Sequence, residues 1–209
     1  MTVRLVRLAD THMRPPTDIP DGDVLIHAGD LTMSGSYTQM DHALGWMAAL
    51  PHPHKVLVAG NHDWYFWTNR ERLAEDGLLR GMTYLCDSGT NILGLKFWGS
   101  PWQPEFGSWA FNLPRGAKLR AKWKLIPKGT DVLITHSPPH GILDATAYHR
   151  LGCEELSKRV AIVRPRLHVF GHIHEAYGQV ELDRTTFVNA AICDAAYDEI
   201  RAPVVIDLD

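Results

Sequence analysis

Lys55-Val56-Leu57-Val58-Ala59-Gly60-Asn61-His62-Asp63 is an apolar run of strand length that stops at a glycine and hands over to an amide, an imidazole and a carboxylate. A short apolar run bounded by turn residues reads as a buried strand. The same habit recurs on either side. Val3 to Ala9 leads into Asp10-Thr11-His12, and Val24 to Ala28 ends in Gly29-Asp30. Downstream, Asp131 to Thr135 ends in His136, and Leu167 to Phe170 ends in Gly171-His172-Ile173-His174. A single polar residue after a strand is an ordinary cap or turn. Five strand ends rich in histidine are not, because turns mostly need Gly, Asn, Asp or Ser. Ligands of α/β sheets bind beyond the carboxyl ends of the strands. If these strands lie side by side, eight side chains converge on one rim: Asp10, His12, Asp30, Asn61, His62, His136, His172 and His174.

The intervening sequence alternates in type. Ser36 to Leu50 reads as a helix capped by Ser36, with Met40, Leu44, Met47 and Leu50 at helical spacing and Pro51 ending it. Ala117 to Leu125 and Cys153 to Val163 read as further helices. Met82 to Cys86 and Ile92 to Trp98 read as strands joined by a turn at Asp87-Ser88-Gly89. Gln179 to Leu182, Thr185 to Val188 and Val204 to Leu208 complete the strands. This alternation, with some hairpins, predicts an α/β protein. No repeat or low-complexity linker interrupts it, so residues 1–209 read as one domain.

Composition narrows the function. The 209 residues carry a net charge of −3, which argues against a surface for nucleic-acid polymers. Three scattered cysteines, Cys86, Cys153 and Cys193, fit neither a disulfide framework nor a cysteine zinc site, and suit a reducing, cytoplasmic setting. No apolar run has the length of a membrane span, and the N-terminus lacks a secretory signal pattern. Twelve histidines are an excess for which a metal site is a candidate reason.

The motif series Asp10-Thr11-His12, Gly29-Asp30, Gly60-Asn61-His62-Asp63, His136 and Gly171-His172-Ile173-His174 resembles that of the calcineurin-like metallophosphoesterases. Each motif is short; all five stand in the family's order. Pro101-Trp102, Phe111-Asn112-Leu113-Pro114-Arg115-Gly116 and the stretch from Pro165 through Gly178 are similar to its small metallophosphoesterase-domain branch, which is class III cyclic nucleotide phosphodiesterase-like. In that branch the last motif is sometimes degraded to G-G-x-H. This sequence keeps His172, so the resemblance implies a complete site.

The resemblance implies a four-layered α/β/β/α sandwich with two mixed β-sheets. It implies that Asp10, His12 and His174 hold one metal ion, that Asn61, His136 and His172 hold a second, and that Asp30 bridges them. His62 is left to donate a proton to the leaving oxygen or to stabilise negative charge. Mixed imidazole, carboxylate and amide ligation favours Mn²⁺, Fe²⁺/Fe³⁺, Zn²⁺, Co²⁺ or Ni²⁺, with Mn²⁺ first, over Mg²⁺. The implied activity is a phosphodiesterase acting on small nucleotide or organic phosphodiesters, with a metal-bridging hydroxide attacking phosphorus in line. A phosphomonoesterase on the same site and a nucleotide-binding scaffold of low turnover are the alternatives. The implied partner is a small-molecule phosphoester, with no membrane.

Other residues have plainer expectations. His27 and His168 lie inside strands as satisfied core groups. Asp63 either orients the His62 loop or caps the next segment. Trp98 to Trp109 holds three tryptophans that stack on a ligand, form a lid, or pack a loop on the sheet. Asn189 matches the Asn of a late family motif, but Ala190 and Ala191 replace its Pro and Gly.

Overall fold

The computed structural model describes residues 2–70, 73 and 77–209. The central strands are buried on both faces, and two sheets use both faces. The first sheet contains β1 (Val3–Leu8), β2 (Val24–Ala28), β3 (His54–Val58), β4 (Thr83–Tyr84) and β13 (Val204–Leu208). Their order is β13-β1-β2-β3-β4, parallel except for β13. The second contains β5 (Ser88–Ile92), β6 (Leu95–Ser100), β9 (Val132–Thr135), β10 (Leu167–Phe170), β11 (Gly178–Leu182) and β12 (Thr185–Asn189). Its order is β11-β12-β10-β9-β6-β5, with a parallel centre and an antiparallel hairpin at each edge. A short parallel ribbon pairs β7 (Gln103–Pro104) with β8 (Asn112–Leu113).

The period-2 pattern divides the core. Leu5, Val24, Ile26, Val56 and Val58 from the first sheet meet Phe97, Val132, Ile134, Leu167 and Val169 from the second. The opposite faces, with Val6, Leu25, Leu57, Leu133 and Phe170, join the apolar residues of the helices. These helices are α1 (Tyr37–Ala49), α2 (Trp64–Thr68), α3 (Ala117–Trp123) and α4 (Glu154–Val163). The result is the α/β/β/α arrangement, with two mixed sheets between outer helices. Ser36 caps α1 as expected, accepting the Gln39 N–H at 3.3 Å.

Two expectations need correction. The five strands that carry the candidate residues do not form one sheet: β1, β2 and β3 lie in the first and β9 and β10 in the second. The rim is therefore assembled from two sheets. It is sewn together where Ala9 bridges Ala191, with Ala9 N donating to Ala190 O at 2.8 Å. Nor is Asp87-Ser88-Gly89 a hairpin turn. Residues 86–87 carry the chain from one sheet to the other, and Ser88 and Gly89 already pair with Gly99 and Trp98. The hairpin turns at Leu93-Gly94, both with positive φ (50° and 84°), as two-residue hairpin loops favour.

Candidate metal centre

All eight candidate side chains meet at the carboxyl ends of β1, β2, β3, β9 and β10. The backbone is strained there: Asp10, His12, Asp30 and His172 have φ of 56°, 44°, 57° and 70°. Non-glycine residues adopt this region rarely, and such strain clusters at functional sites. Glycines permit close approach at the rim, between the two sheets at Gly171 and between neighbouring strand ends of the first sheet at Gly60. A Cβ on Gly171 would stand 2.0 Å from Asp10 Oδ2, and one on Gly60 would stand 2.1 Å from Asp30 Oδ1.

The imidazoles are oriented from behind. His12 Nδ1 donates to Thr32 O (3.2 Å), His136 Nδ1 to Ala28 O (3.0 Å), and His174 Nδ1 to Asp194 O (3.0 Å). Each Nε2 is thereby turned inward, the arrangement by which metal-ligating histidines have their tautomer fixed. His174 Nε2 lies 3.3 Å from both Asp10 Oδ1 and His12 Nε2. Asp30 Oδ2 lies 3.4 Å from His136 Nε2 and 3.8 Å from His12 Nε2, and Asn61 Oδ1 is 2.9 Å from His136 Nε2. Among the described residues, ligand atoms gather within 4.8 Å in the groups Asp10-His12-His174, His12-Asp30-His62 and Asp30-His136-His172. His12 belongs to the first and second of these groups and Asp30 to the second and third. The donor set of inward imidazole nitrogens, carboxylates and one amide suits two divalent transition-metal ions.

The charges agree with a site built for cations. Burial pushes the Asp10 and Asp30 carboxyls up, but the facing His174 and His136 more than reverse this and hold both below the ordinary range. Burial also works against the His136 and His174 cations, yet Asp30 and Asp10 carry these imidazoles up to about 9. His172, buried and beside the charged His136, falls to about 3.

Asp63 orients the loops and is no helix cap. Its carboxylate accepts Gly60 N (2.9 Å), Thr32 N (3.0 Å), Thr32 Oγ1 (2.8 Å) and Leu31 N (3.3 Å), tying the ends of β2 and β3 together. Burial and the charge of Asp30 raise it to about 6. Asn189 has a comparable role that its motif match barely signalled. Its amide donates to Ile173 O at 2.8 Å and Leu143 O at 3.1 Å, pinning the loop between His172 and His174. His27 and His168 are half satisfied: each Nε2 meets a threonine hydroxyl, and each buried Nδ1 has no partner.

A cleft of about 550 Å³ opens over the site. Phe106 and Trp109 form one wall; Leu151, Thr146 and Arg115 belong to another, and Tyr197 packs on His12 with ring centroids 4.9 Å apart. Of the three tryptophans in the 98–109 stretch, Trp102 is core and Trp109 lines the cleft. Sequence reading missed Tyr197, since nothing near it in the chain marks the loop that folds it over the site.

A calcineurin-like phosphoesterase profile matches residues 3–176. The human metallophosphoesterase domain-containing protein 1 is 44% identical over 98% of this chain and 71% of its own length. The UPF0046 protein C25E10.12 of Caenorhabditis elegans is 38% identical over 99% of this chain and 81% of its own. Among solved structures, TT1561 of Thermus thermophilus superposes with a TM-score of 0.64 at 15% identity, over 91% of this chain and 90% of that one, which shows the shared fold. The chain belongs to the calcineurin-like phosphoesterases, a family of metal-dependent phosphoric ester hydrolases.

Proposed function

We propose that the protein is a phosphodiesterase acting on small nucleotides or similar organic phosphodiesters, with two divalent ions, Mn²⁺ foremost, in the positions given above. The supporting observation is the charge inventory of the cleft. Among the described lining residues, Arg115 is the one guanidinium or ammonium group, and it is committed elsewhere. Its Nη1 donates to Gly152 O (2.8 Å) and Glu154 (2.6 Å), and its Nη2 to Leu151 O (2.9 Å). Glu105 and Glu175 add negative charge to the lining. Apart from His62, a dianionic monoester would find no free side-chain cation for its second charge, whereas a monoanionic diester needs no more than that one. The flat ring of Phe106 in the lining suits an apolar or aromatic ester group.

Bound at the two groups, the ions would neutralise the phosphate and activate water. Asp10, His12 and His174 would hold one ion and Asn61, His136 and His172 the other, with Asp30 between. His62 Nδ1 donates to Met33 O at 2.6 Å, so Nε2 is the atom that delivers a proton to the leaving oxygen. A cytoplasmic setting is in keeping with three cysteines that remain free thiols, and no helix among the described residues is long and apolar enough to cross a membrane.

The test is hydrolysis of bis-p-nitrophenyl phosphate against p-nitrophenyl phosphate by metal-stripped protein with Mn²⁺ restored. The expected result is metal-dependent cleavage favouring the diester and lost in Asp30→Ala. Faster turnover of the monoester would overturn the diester reading. No turnover of either ester by folded, metal-loaded protein would replace it with a binding role.

A further inference from the structure

His62 is enclosed on three sides. Its Nδ1 is held by Met33 O, the ring of His12 meets it edge-on with centroids 4.7 Å apart and planes at 79°, and Trp109 lies over it at 4.2 Å with planes tilted by only 30°. The segment that presents Trp109 is itself braced. Ala110 N donates to Asn61 O at 3.3 Å, Gln103 Nε2 to Ala110 O at 3.3 Å, and Asn112 Nδ2 to Phe106 O at 3.0 Å. The indole is thus fixed to the same loop that carries His62, before any ligand arrives.

A proton donor works only with its atom within hydrogen-bond reach of the acceptor, and a displacement of about 1 Å can cost about a hundredfold in rate. The Met33 hydrogen bond alone leaves the imidazole free to swing about that contact. The indole face and the His12 ring both restrict this motion. We propose that Trp109 is a positioning residue that acts through His62, holding the imidazole so that Nε2 faces the leaving oxygen. This rests on the role of His62 given above. In the step it serves, a water oxygen bonds to phosphorus and gives up a proton to solvent as the bond to the leaving oxygen breaks; the departing oxygen keeps the electron pair and takes the Nε2 proton, and the neutral imidazole is reprotonated from solvent.

The experiment compares wild type with Trp109→Leu, Trp109→Phe, His62→Ala and the double variant Trp109→Leu/His62→Ala. All are Mn²⁺-loaded and checked for metal content and thermal midpoint. The substrates are aryl methyl phosphodiesters whose leaving phenols range from weakly to strongly basic. Proton donation matters most for the basic phenols. Trp109→Leu should therefore lose roughly tenfold in kcat on these and little on p-nitrophenolate, with KM nearly unchanged. Trp109→Phe, which keeps a flat ring, should recover most of the loss. In the double variant the Trp109 change should add nothing to His62→Ala. A second readout needs no turnover: with diamagnetic Zn²⁺ in place of Mn²⁺, the His62 Cε1 proton, identified by its disappearance in His62→Ala, should be shifted upfield by the indole and return downfield in Trp109→Leu.

A loss equal across all phenols, or one that multiplies with His62→Ala, would overturn the proposal and place Trp109 against the substrate. If His62→Ala itself shows no dependence on the leaving group, the proton-donor role fails and the positioning role falls with it. A dependence in His62→Ala that is absent in Trp109→Leu removes only the positioning role.

Discussion

Gly171 stands where the second sheet touches Asp10, and its replacement by alanine tests the geometry of the whole site. The added Cβ would lie 2.0 Å from Asp10 Oδ2 and 2.6 Å from Ala9 Cβ, well inside ordinary contact at about 3.5 Å. Asp10 must move by more than about 1 Å or β10 must retreat. Overpacking of this kind costs about 1–3 kcal/mol. The Asp10 carboxylate also accepts His172 N at 2.9 Å, and losing a hydrogen bond to a charged group adds about 1.5–3 kcal/mol. Together these approach about 3–5 kcal/mol, a large part of the roughly 5–15 kcal/mol that holds a typical domain. In the fraction that remains folded, a misplaced Asp10 should lower phosphoesterase kcat about a hundredfold. Gly94→Ala is the control. Gly94 has φ of 84° with nothing within 4 Å of a new Cβ, so it should cost about 1–2 kcal/mol of backbone strain and leave activity intact. Urea denaturation and kinetics of the Mn²⁺-loaded variants read both effects. A Gly171→Ala protein with wild-type kcat and a urea midpoint no lower than that of Gly94→Ala would refute the reasoning.

Acid stability depends on His27 and His168, which burial lowers to about 3. The unfolded chain takes up protons below about 6.5 while the folded one does not, so stability falls as pH drops from there, by about 1.4 kcal/mol per unit for each. His168→Leu should make the fall of the urea midpoint between about pH 6.5 and 4.5 shallower. An unchanged slope would show that His168 is protonated in the fold. His136 and His174, raised to about 9, carry protons in the metal-free protein at pH 7. Their stabilising effect there is complete below about 6.5 and lost as pH rises through about 9. Metal entry at pH 7 should expel about two protons, and fewer above about pH 9, which calorimetry in buffers of different ionisation enthalpy measures; pH-independent affinity would contradict it. Asp63→Asn replaces one of two oxygens that together accept four donors, and it should cost about 1–3 kcal/mol in urea denaturation and weaken Mn²⁺ binding. Unchanged values would remove Asp63 from its place between the loops.

The candidate ligands were legible in the chain because an imidazole or carboxylate at the end of a short, mainly apolar strand has no packing reason to be there, and the coincidence recurred five times. The division of those strands between two sheets was not legible. Val24 to Ala28 and Val56 to Val58 are buried on both faces, so their runs carry no alternation to say which neighbours they take. Asp87-Ser88-Gly89 has turn composition but forms a crossing. The actual hairpin uses Leu93 in a left-handed conformation that its side chain does not advertise. At five residues and without a side-chain cap, α2 is too short for periodicity to reveal. Trp109 and Tyr197 are delivered to the cleft by loops, and a loop's path is a tertiary property.

That division into two sheets bears on how the site works. Asp10, His12, Asp30, Asn61 and His62 follow strands of the first sheet; His136, His172 and His174 follow strands of the second. The groups Asp10-His12-His174 and Asp30-His136-His172 each draw on both sheets, so neither sheet alone holds either set. The spacing of the ligands is therefore fixed by the apolar faces between the sheets and by the few contacts that cross them at the rim. His136 donates to Ala28 O and His172 N donates to Asp10 across that boundary. An ion held by ligands from both sides would cross-link the sheets, and its binding energy would add to the stability of their packing. By the same linkage, whatever loosens the intersheet core weakens the hold on the metal. The combined volume of Val56, Val58, Val132 and Ile134 between the sheets is thus as much a determinant of the site as the ligands are.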